Sequence, residues 1–263
     1  MEITSVNNDL VKETVKLQQK KYRDKTGKFL LEGRKCVEEA ISAGLEIEYL
    51  FIDAKSDISG KWKVESGKLN NFQFSTFNFQ LNKIIFTTES VLKKISTTDS
   101  APEMVAVAYK KQIKMPKNAK KVVLLENIKD LGNLGTILRT SVAFGVDAVI
   151  LYGKDCADIY NPKCVRSAVG NLWKIPVVYI ENFEELKNTF NDFERVATLP
   201  RAKNYLKDFE AKEPVLLMFG SEAEGLSDEL IDFSTRSVKI EMSENVESLN
   251  LSVSCAVVLY KFL

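Results

Sequence analysis

The chain has 263 residues, no histidine, and a formal net charge of +1. An apolar share of 45% with 28% charged residues is enough for a buried core in one large or two smaller soluble domains. The missing histidine excludes Ser-His-Asp and Cys-His hydrolase chemistry. Together with four cysteines that form no CxxC pair (Cys36, Cys156, Cys164, Cys255), it also removes the usual zinc sites.

In chain order, M-E-I-T-S-V-N-N-D-L-V-K has no basic segment followed by an apolar one, so no secretory leader is read there. No apolar run reaches membrane-spanning length, and the chain reads as cytoplasmic with no membrane partner. Within residues 29–50, Cys36, Val37, Ala40 and Ile41 fall at helical spacing, and Gly44 is a helix stop. Strands are predicted at 47–52, 84–87 and 104–109, with a helix at 91–95. This is the alternation of a small α/β domain. The stretch K-K-Q-I-K-M-P-K-N-A-K-K at 110–121 is polar and basic and reads as an interdomain linker or a surface loop. Residues 1–120 carry 21 Lys and Arg against 15 Asp and Glu, whereas the remainder carries 16 against 21. Such asymmetry fits a basic part that meets a polyanion, and equally fits solvated surface lysine.

From residue 122 the pattern becomes regular. Apolar strands are predicted at 122–127, 148–152, 177–180, 195–199, 215–220 and 237–242, separated by helical stretches such as 136–144 and closed by a helix at 249–262. Near-continuous apolar strands alternating with helices predict a mostly parallel sheet covered on both faces. Cys255 lies in the last apolar run, L-S-V-S-C-A-V-V-L-Y, and all four cysteines are expected to be structural.

Three polar segments interrupt this pattern. The first is E-N-I-K-D-L-G-N-L-G-T-I-L-R-T at 126–140, a loop at a strand's carboxyl end, where open α/β sheets bind ligands. Gly132 and Gly135 are read as letting that loop bend. Their spacing matches neither the dinucleotide fingerprint nor a P-loop, which argues against a nucleotide-dependent oxidoreductase. Asn133 is a candidate helix cap, and Arg139 a helical arginine that is either solvated or turned back towards the loop. The second segment is F-G-S-E-A-E-G-L-S at 219–227, with Glu222 and Glu224 in a turn where carboxylates commonly precede a helix. The third, I-E-M-S-E-N-V-E-S-L-N-L-S-V at 240–253, offers Ser248 or Asn250 as a cap for the last helix.

In this order and spacing the three segments resemble the three motifs of the SpoU (TrmH-type) RNA 2'-O-methyltransferases, of the knotted SPOUT class. The resemblance implies an α/β fold whose C-terminal, mostly parallel sheet carries a trefoil knot, preceded by a small ribosomal-protein-like α/β domain. The implied division is an RNA substrate-binding domain at 1–110, a basic linker at 111–121 and a catalytic domain at 122–263. The implied cofactor is S-adenosyl-L-methionine, no metal is required, and the partners are RNA and a second copy of the chain. It places Asn133, Arg139, Glu222, Ser248 and Asn250 in the active site. The Gly220 backbone, Ile240 and Leu249 then contact the cofactor, with Thr198 as a further wall, and Glu224 is left to the surface. Leu131 stands where proline often precedes the Gly-Asn pair. The stretch Y-N-P-K-C-V-R-S-A-V-G-N-L-W at 160–173 resembles a segment that approaches RNA or the dimer partner, which makes Arg166 a candidate RNA contact. Ala168 replaces a frequent serine there. The expected substrate is rRNA, with tRNA as an alternative, and the competing reading is a non-catalytic RNA-binding or ribosome-assembly protein of the same fold.

Overall fold

The computed structural model describes residues 1–56, 81–243 and 245–262. It divides into two compact units, Met1–Lys111 with Asp158–Trp173, and Gln112–Ala157 with Lys174–Leu263. The first begins with β1 (Glu2–Ile3), α1 (Asp9–Lys16), α2 (Lys20–Thr26), β2 (Lys28–Glu32), α3 (Arg34–Ser42), β3 (Ile47–Asp53), β4 (Leu81–Thr87), α4 (Glu89–Ile95) and β5 (Met104–Tyr109). Its sheet runs β1-β4-β3-β5-β2, parallel where β4 meets β1 and β3, and antiparallel where β5 meets β3 and β2. The helix expected over Cys36–Ile41 is α3, and those four residues form its buried face. Phe29, Leu30 and Leu31 belong instead to the separate strand β2 and are fully buried. A short continuous apolar run has no periodicity that distinguishes a buried strand from a helical segment.

The second unit contains β6 (Lys121–Glu126), α5 (Leu131–Ala143) and β7 (Ala148–Tyr152). The chain then enters the first unit through α6 (Pro162–Ala168) and returns for β8 (Val177–Ile180), α7 (Phe183–Phe190) and β9 (Glu194–Thr198). It finishes with β10 (Asn204–Tyr205), β11 (Val215–Phe219), α8 (Asp228–Phe233), β12 (Arg236–Lys239) and α9 (Leu251–Lys261). All seven strands are parallel, in the order β10-β12-β9-β11-β6-β7-β8. The middle strands β6, β11 and β7 are buried on both faces, as a parallel sheet covered by helices requires. Burying each of their Val, Leu and Ile side chains contributes about 1.5–3 kcal/mol of gross hydrophobic free energy.

The detour through Asp158–Trp173 is held inside the first unit by charge as well as by packing. Arg23 has a side chain only 1% exposed, and donates to Asp158 Oδ2 from Nε at 2.9 Å and Nη2 at 2.7 Å, and from Nη1 to the carbonyls of Leu17 and Gln18. Tyr160 and Trp173 pack against Phe29 in tilted geometry, with ring centroids 4.8 and 6.2 Å away. Tyr160 also donates its hydroxyl to the Lys111 carbonyl, and burial pushes its phenol up to about 12.

Candidate active site

The site residues follow the carboxyl ends of four neighbouring strands, β12, β9, β11 and β6. Because β6 and β11 pair in register from Lys121↔Val215 to Leu125↔Phe219, their ends are level. The segments that leave them therefore emerge side by side, where the strand order reverses direction and an α/β sheet opens a crevice.

After β6, Asp130 begins α5 and accepts from the Asn133 backbone N–H at 2.7 Å. The helix consequently starts at Leu131, earlier than the predicted 136. Gly132 and Gly135 lie within the helix rather than in a bending loop, and Asn133 is an interior residue rather than the cap. The Asp ahead of the apolar stretch was a legible capping signal. With its backbone satisfied, Asn133 turns its side chain outward.

After β11 the chain folds back sharply. Ser221 and Gly225 exchange backbone hydrogen bonds, Glu224 N–H donates to Ser221 Oγ, and Gly225 sits at φ +71°. A Cβ on Gly220 would lie 1.9 Å from the Gly225 carbonyl carbon and 2.0 Å from the Leu226 nitrogen, so only glycine permits this closure. Below the turn, the buried Glu126 carboxylate accepts from the Ser227 N–H at 2.8 Å, and Ser227 caps α8. Tyr152 donates to Glu229 at 2.8 Å, and its pKa is raised, first by burial and then by that bond.

After β12 the chain runs to Asn250, the N-cap of α9. Asn250 Oδ1 accepts from Ser252 N–H at 2.9 Å, Ser252 Oγ at 2.6 Å and Val253 N–H at 3.3 Å. These three donors fix which end of the amide is oxygen. Its Nδ2 donates to Asn133 Oδ1 at 3.0 Å, and Asn133 Nδ2 donates to Glu222 Oε1 at 2.6 Å. One directional chain of hydrogen bonds thus joins all three motifs and ends on a carboxylate.

Asn250, Ser221, Glu222 and Glu224 form a wall shared by two cavities. One, of about 760 Å³, is lined further by Asn127, Lys129, Asp130, Asn133 and Asp155. Asn127 adopts a left-handed conformation, φ 47°, uncommon outside glycine. The other, of about 800 Å³, is lined by Thr198, Gly220, Ile240 and Leu249, and by Ser248, Leu199, Arg201 and Met242. All four residues expected to contact the cofactor therefore line a single cavity. Glu224, assigned to the surface, is exposed but lines both. Arg139 lines neither. It is exposed on α5, and among the described residues it has no ion-pair partner. Arg166 is engaged elsewhere, donating from Nη1 to Glu32, whose side chain is 1% exposed, and to Thr97 Oγ1 at 2.7 Å. Sequence reasoning missed Asn127, Asp155 and Arg201, for which neither spacing nor residue type gave a signal.

The larger cavity suits S-adenosylmethionine in size and in character, having apolar walls with a few convergent polar groups. Thr198 also brings a buried hydroxyl with no hydrogen-bond partner among the described residues, an acceptor or donor that a ligand can use. No cluster of potential metal ligands occurs among the described residues. Cys36, Cys164 and Cys255 are buried, and burial pushes the Cys36 and Cys164 thiols up to about 12, which suits packing rather than reactivity.

Known proteins share this fold. A solved RNA 2'-O ribose methyltransferase superposes with a TM-score of 0.80 at 28% identity, covering 99% of this chain and 97% of its own. An AdoMet-bound rRNA methyltransferase from Sinorhizobium meliloti gives 0.81 at 26% identity, covering 99% and 96%. In sequence, the chain is 31% identical to a 23S rRNA (guanosine(2553)-2'-O)-methyltransferase of Bacillus subtilis, over 98% of both proteins. It is also 31% identical to an uncharacterized tRNA/rRNA methyltransferase of Synechocystis sp., covering 98% of this chain and 92% of that one. Residues 8–106 match the MRM3-like substrate binding domain, and residues 120–260 match the SpoU rRNA Methylase family. The chain belongs to the SpoU rRNA methylase family.

Proposed function

We propose that this protein transfers a methyl group from S-adenosylmethionine to a ribose 2'-hydroxyl of rRNA. The observation that carries the reading is the hydrogen-bond chain Asn250–Asn133–Glu222 on the wall between two cavities, one of them suited to the cofactor. When bound, the cofactor supplies a methyl group already activated by its sulfonium, so the protein's task is alignment and charge management. Thr198, Ile240, Leu249 and the Gly220 turn form the cofactor's walls. Glu222 Oε1 is held by Asn133, and its second oxygen accepts the ribose hydroxyl and orients it. Ser248 and Asn250 confine the ribose from the third motif. Arg139, whose guanidinium has no ion-pair partner among the described residues, binds an RNA phosphate and stabilises negative charge developing on the ribose oxygen. Residues 1–110, whose match is to a substrate binding domain, hold the RNA.

The test is incubation with radiolabelled S-adenosylmethionine and unmodified rRNA or tRNA, followed by alkaline hydrolysis. A labelled, alkali-resistant dinucleotide from rRNA is expected. Label confined to tRNA would reassign the substrate, and RNA binding with no label in either would favour a non-catalytic protein.

A homodimer belongs to the same proposal, supported by α9. Its inner face is buried, yet Val253, Val257 and Tyr260 on the outer face are 47%, 38% and 70% exposed. A helix that is apolar all round is normally covered on both sides. Sedimentation equilibrium should show a dimer that Val257→Glu dissociates, and a monomeric wild type would overturn this part.

A further inference from the structure

Among the described residues Arg201 is the only cation lining the larger cavity, whose other charged lining groups are the carboxylates Glu222 and Glu224. Its backbone is firmly placed. Leu199 N–H donates to the Val238 carbonyl at 2.9 Å, Ala202 N–H donates back to the Leu199 carbonyl at 3.2 Å, and Ala202 is buried. Pro200 and Arg201 are thus the two central residues of a turn tied to β12, with proline at the position that its fixed φ favours. The side chain is exposed, and among the described residues it has neither an ion-pair nor a hydrogen-bond partner. A guanidinium carried by a fixed turn at a cavity wall, with no counter-ion among the described residues, is available to an anionic group of whatever the cavity holds.

We propose that Arg201 is the counter-ion for the carboxylate of S-adenosylmethionine, which fixes the direction in which the cofactor lies. This rests on the reading of the cavity given above. The ligand carries one anionic group and two cationic ones, and the cavity presents one cation and two carboxylates. The carboxylate and the α-ammonium share one carbon, so placing the carboxylate at Arg201 sets the methionine end of the ligand there and leaves the sulfonium, three bonds along, to face the carboxylates of Glu222 and Glu224. The reverse placement would set the carboxylate against Glu222 and Glu224 and leave Arg201 unpaired.

Calorimetric titration of the full-length protein tests this with S-adenosylmethionine, S-adenosylhomocysteine and decarboxylated S-adenosylmethionine. Arg201→Ala should weaken the two carboxylate-bearing ligands by about tenfold or more, the effect of losing one charge-assisted hydrogen bond. It should leave the decarboxylated ligand's affinity unchanged, and Arg201→Lys should recover part of the loss. An equal loss for all three ligands would overturn the assignment, because Arg201 would then shape the cavity rather than meet the carboxylate. Unchanged cofactor affinity with a raised KM for RNA would also overturn it, assigning the cation to an RNA phosphate. Failure of the wild type to bind any of the three would instead overturn the cofactor reading itself.

Discussion

The enclosed ion pairs of the first unit and the candidate site of the second use charged and polar side chains in opposite ways. In the first, Arg23 and Glu32 are almost completely enclosed, and each is held in place by Asp158 or by Arg166 and Thr97. At the site of the second, Glu222 and Asn250 are exposed, Arg139 and Arg201 have no partner among the described residues, and the hydrogen-bond chain from Asn250 through Asn133 to Glu222 ends at an open wall. Enclosed charges tolerate no loss of a partner, whereas uncommitted ones do little until a ligand arrives. Both units contain arginines at helix or turn positions, and only the surroundings separate the structural ones from those poised for a ligand.

That contrast can be broken most directly at Arg139 and Arg23. Arg139→Ala should lower methyl transfer by about a hundred- to a thousandfold, as does losing one group that stabilises transition-state charge. S-Adenosylhomocysteine affinity and melting temperature should hardly change. A parallel loss of cofactor affinity would move Arg139 into the cofactor site. Arg23→Ala should do the opposite, destabilising the protein by about 3–5 kcal/mol because Asp158 is left enclosed and unpaired. Urea denaturation measures this, and a loss below about 1 kcal/mol would show that the pair is better solvated than its burial suggests.

Asn250→Ala sits on the boundary between the two behaviours. It removes the cap of α9, worth about 0.5–2 kcal/mol, and also the donor that orients Asn133. Turnover should fall more than stability, and an unchanged kcat would mean that Asn133 keeps its orientation without help. The smallest effect concerns Asp24. Its carboxyl is held below the ordinary value, first by the hydrogen bond from Lys110 and then by that ammonium's charge. A carboxyl with a depressed folded-state pKa contributes stability above its unfolded value of about 4, and loses it as pH falls further. The pair is half exposed, so Lys110→Ala should cost only roughly 0.5 kcal/mol at neutral pH and nothing at about pH 2. A loss that is independent of pH would assign the effect to packing over Tyr160 instead.

The sequence disclosed the second unit more fully than the first. Strands such as Ala148–Tyr152 and Val177–Ile180 fall where predicted, because a buried parallel sheet imposes apolar runs separated by helices. The brief strands Glu2–Ile3 and Asn204–Tyr205 left no such trace, since two residues carry no period. The start of α5 was misplaced although Asp130 was a visible cap. Among the site residues, those in the three motifs were identified through resemblance, and geometry then linked Asn133, Glu222 and Asn250. Arg201 was illegible because its significance comes from a turn tied to β12, a contact across tens of residues. The ion pairs of Arg23 and Arg166 span still longer separations and were hidden for the same reason.

The first unit's discontinuity bears on the order in which the protein is made. Its chain is Met1–Lys111 plus Asp158–Trp173, so Arg23, Glu32 and Phe29 are translated long before the residues that enclose them. A growing chain that stops at residue 111 already holds all five strands of its sheet, but has an uncovered flank and two unmatched charges. The unit can close only after Trp173 has left the ribosome, by which time β6, α5 and β7 have also been synthesised. A truncation after residue 111 reproduces that unfinished intermediate. The same exchange of chain means that the gene segment for residues 1–111 is not a module that recombination can transplant intact.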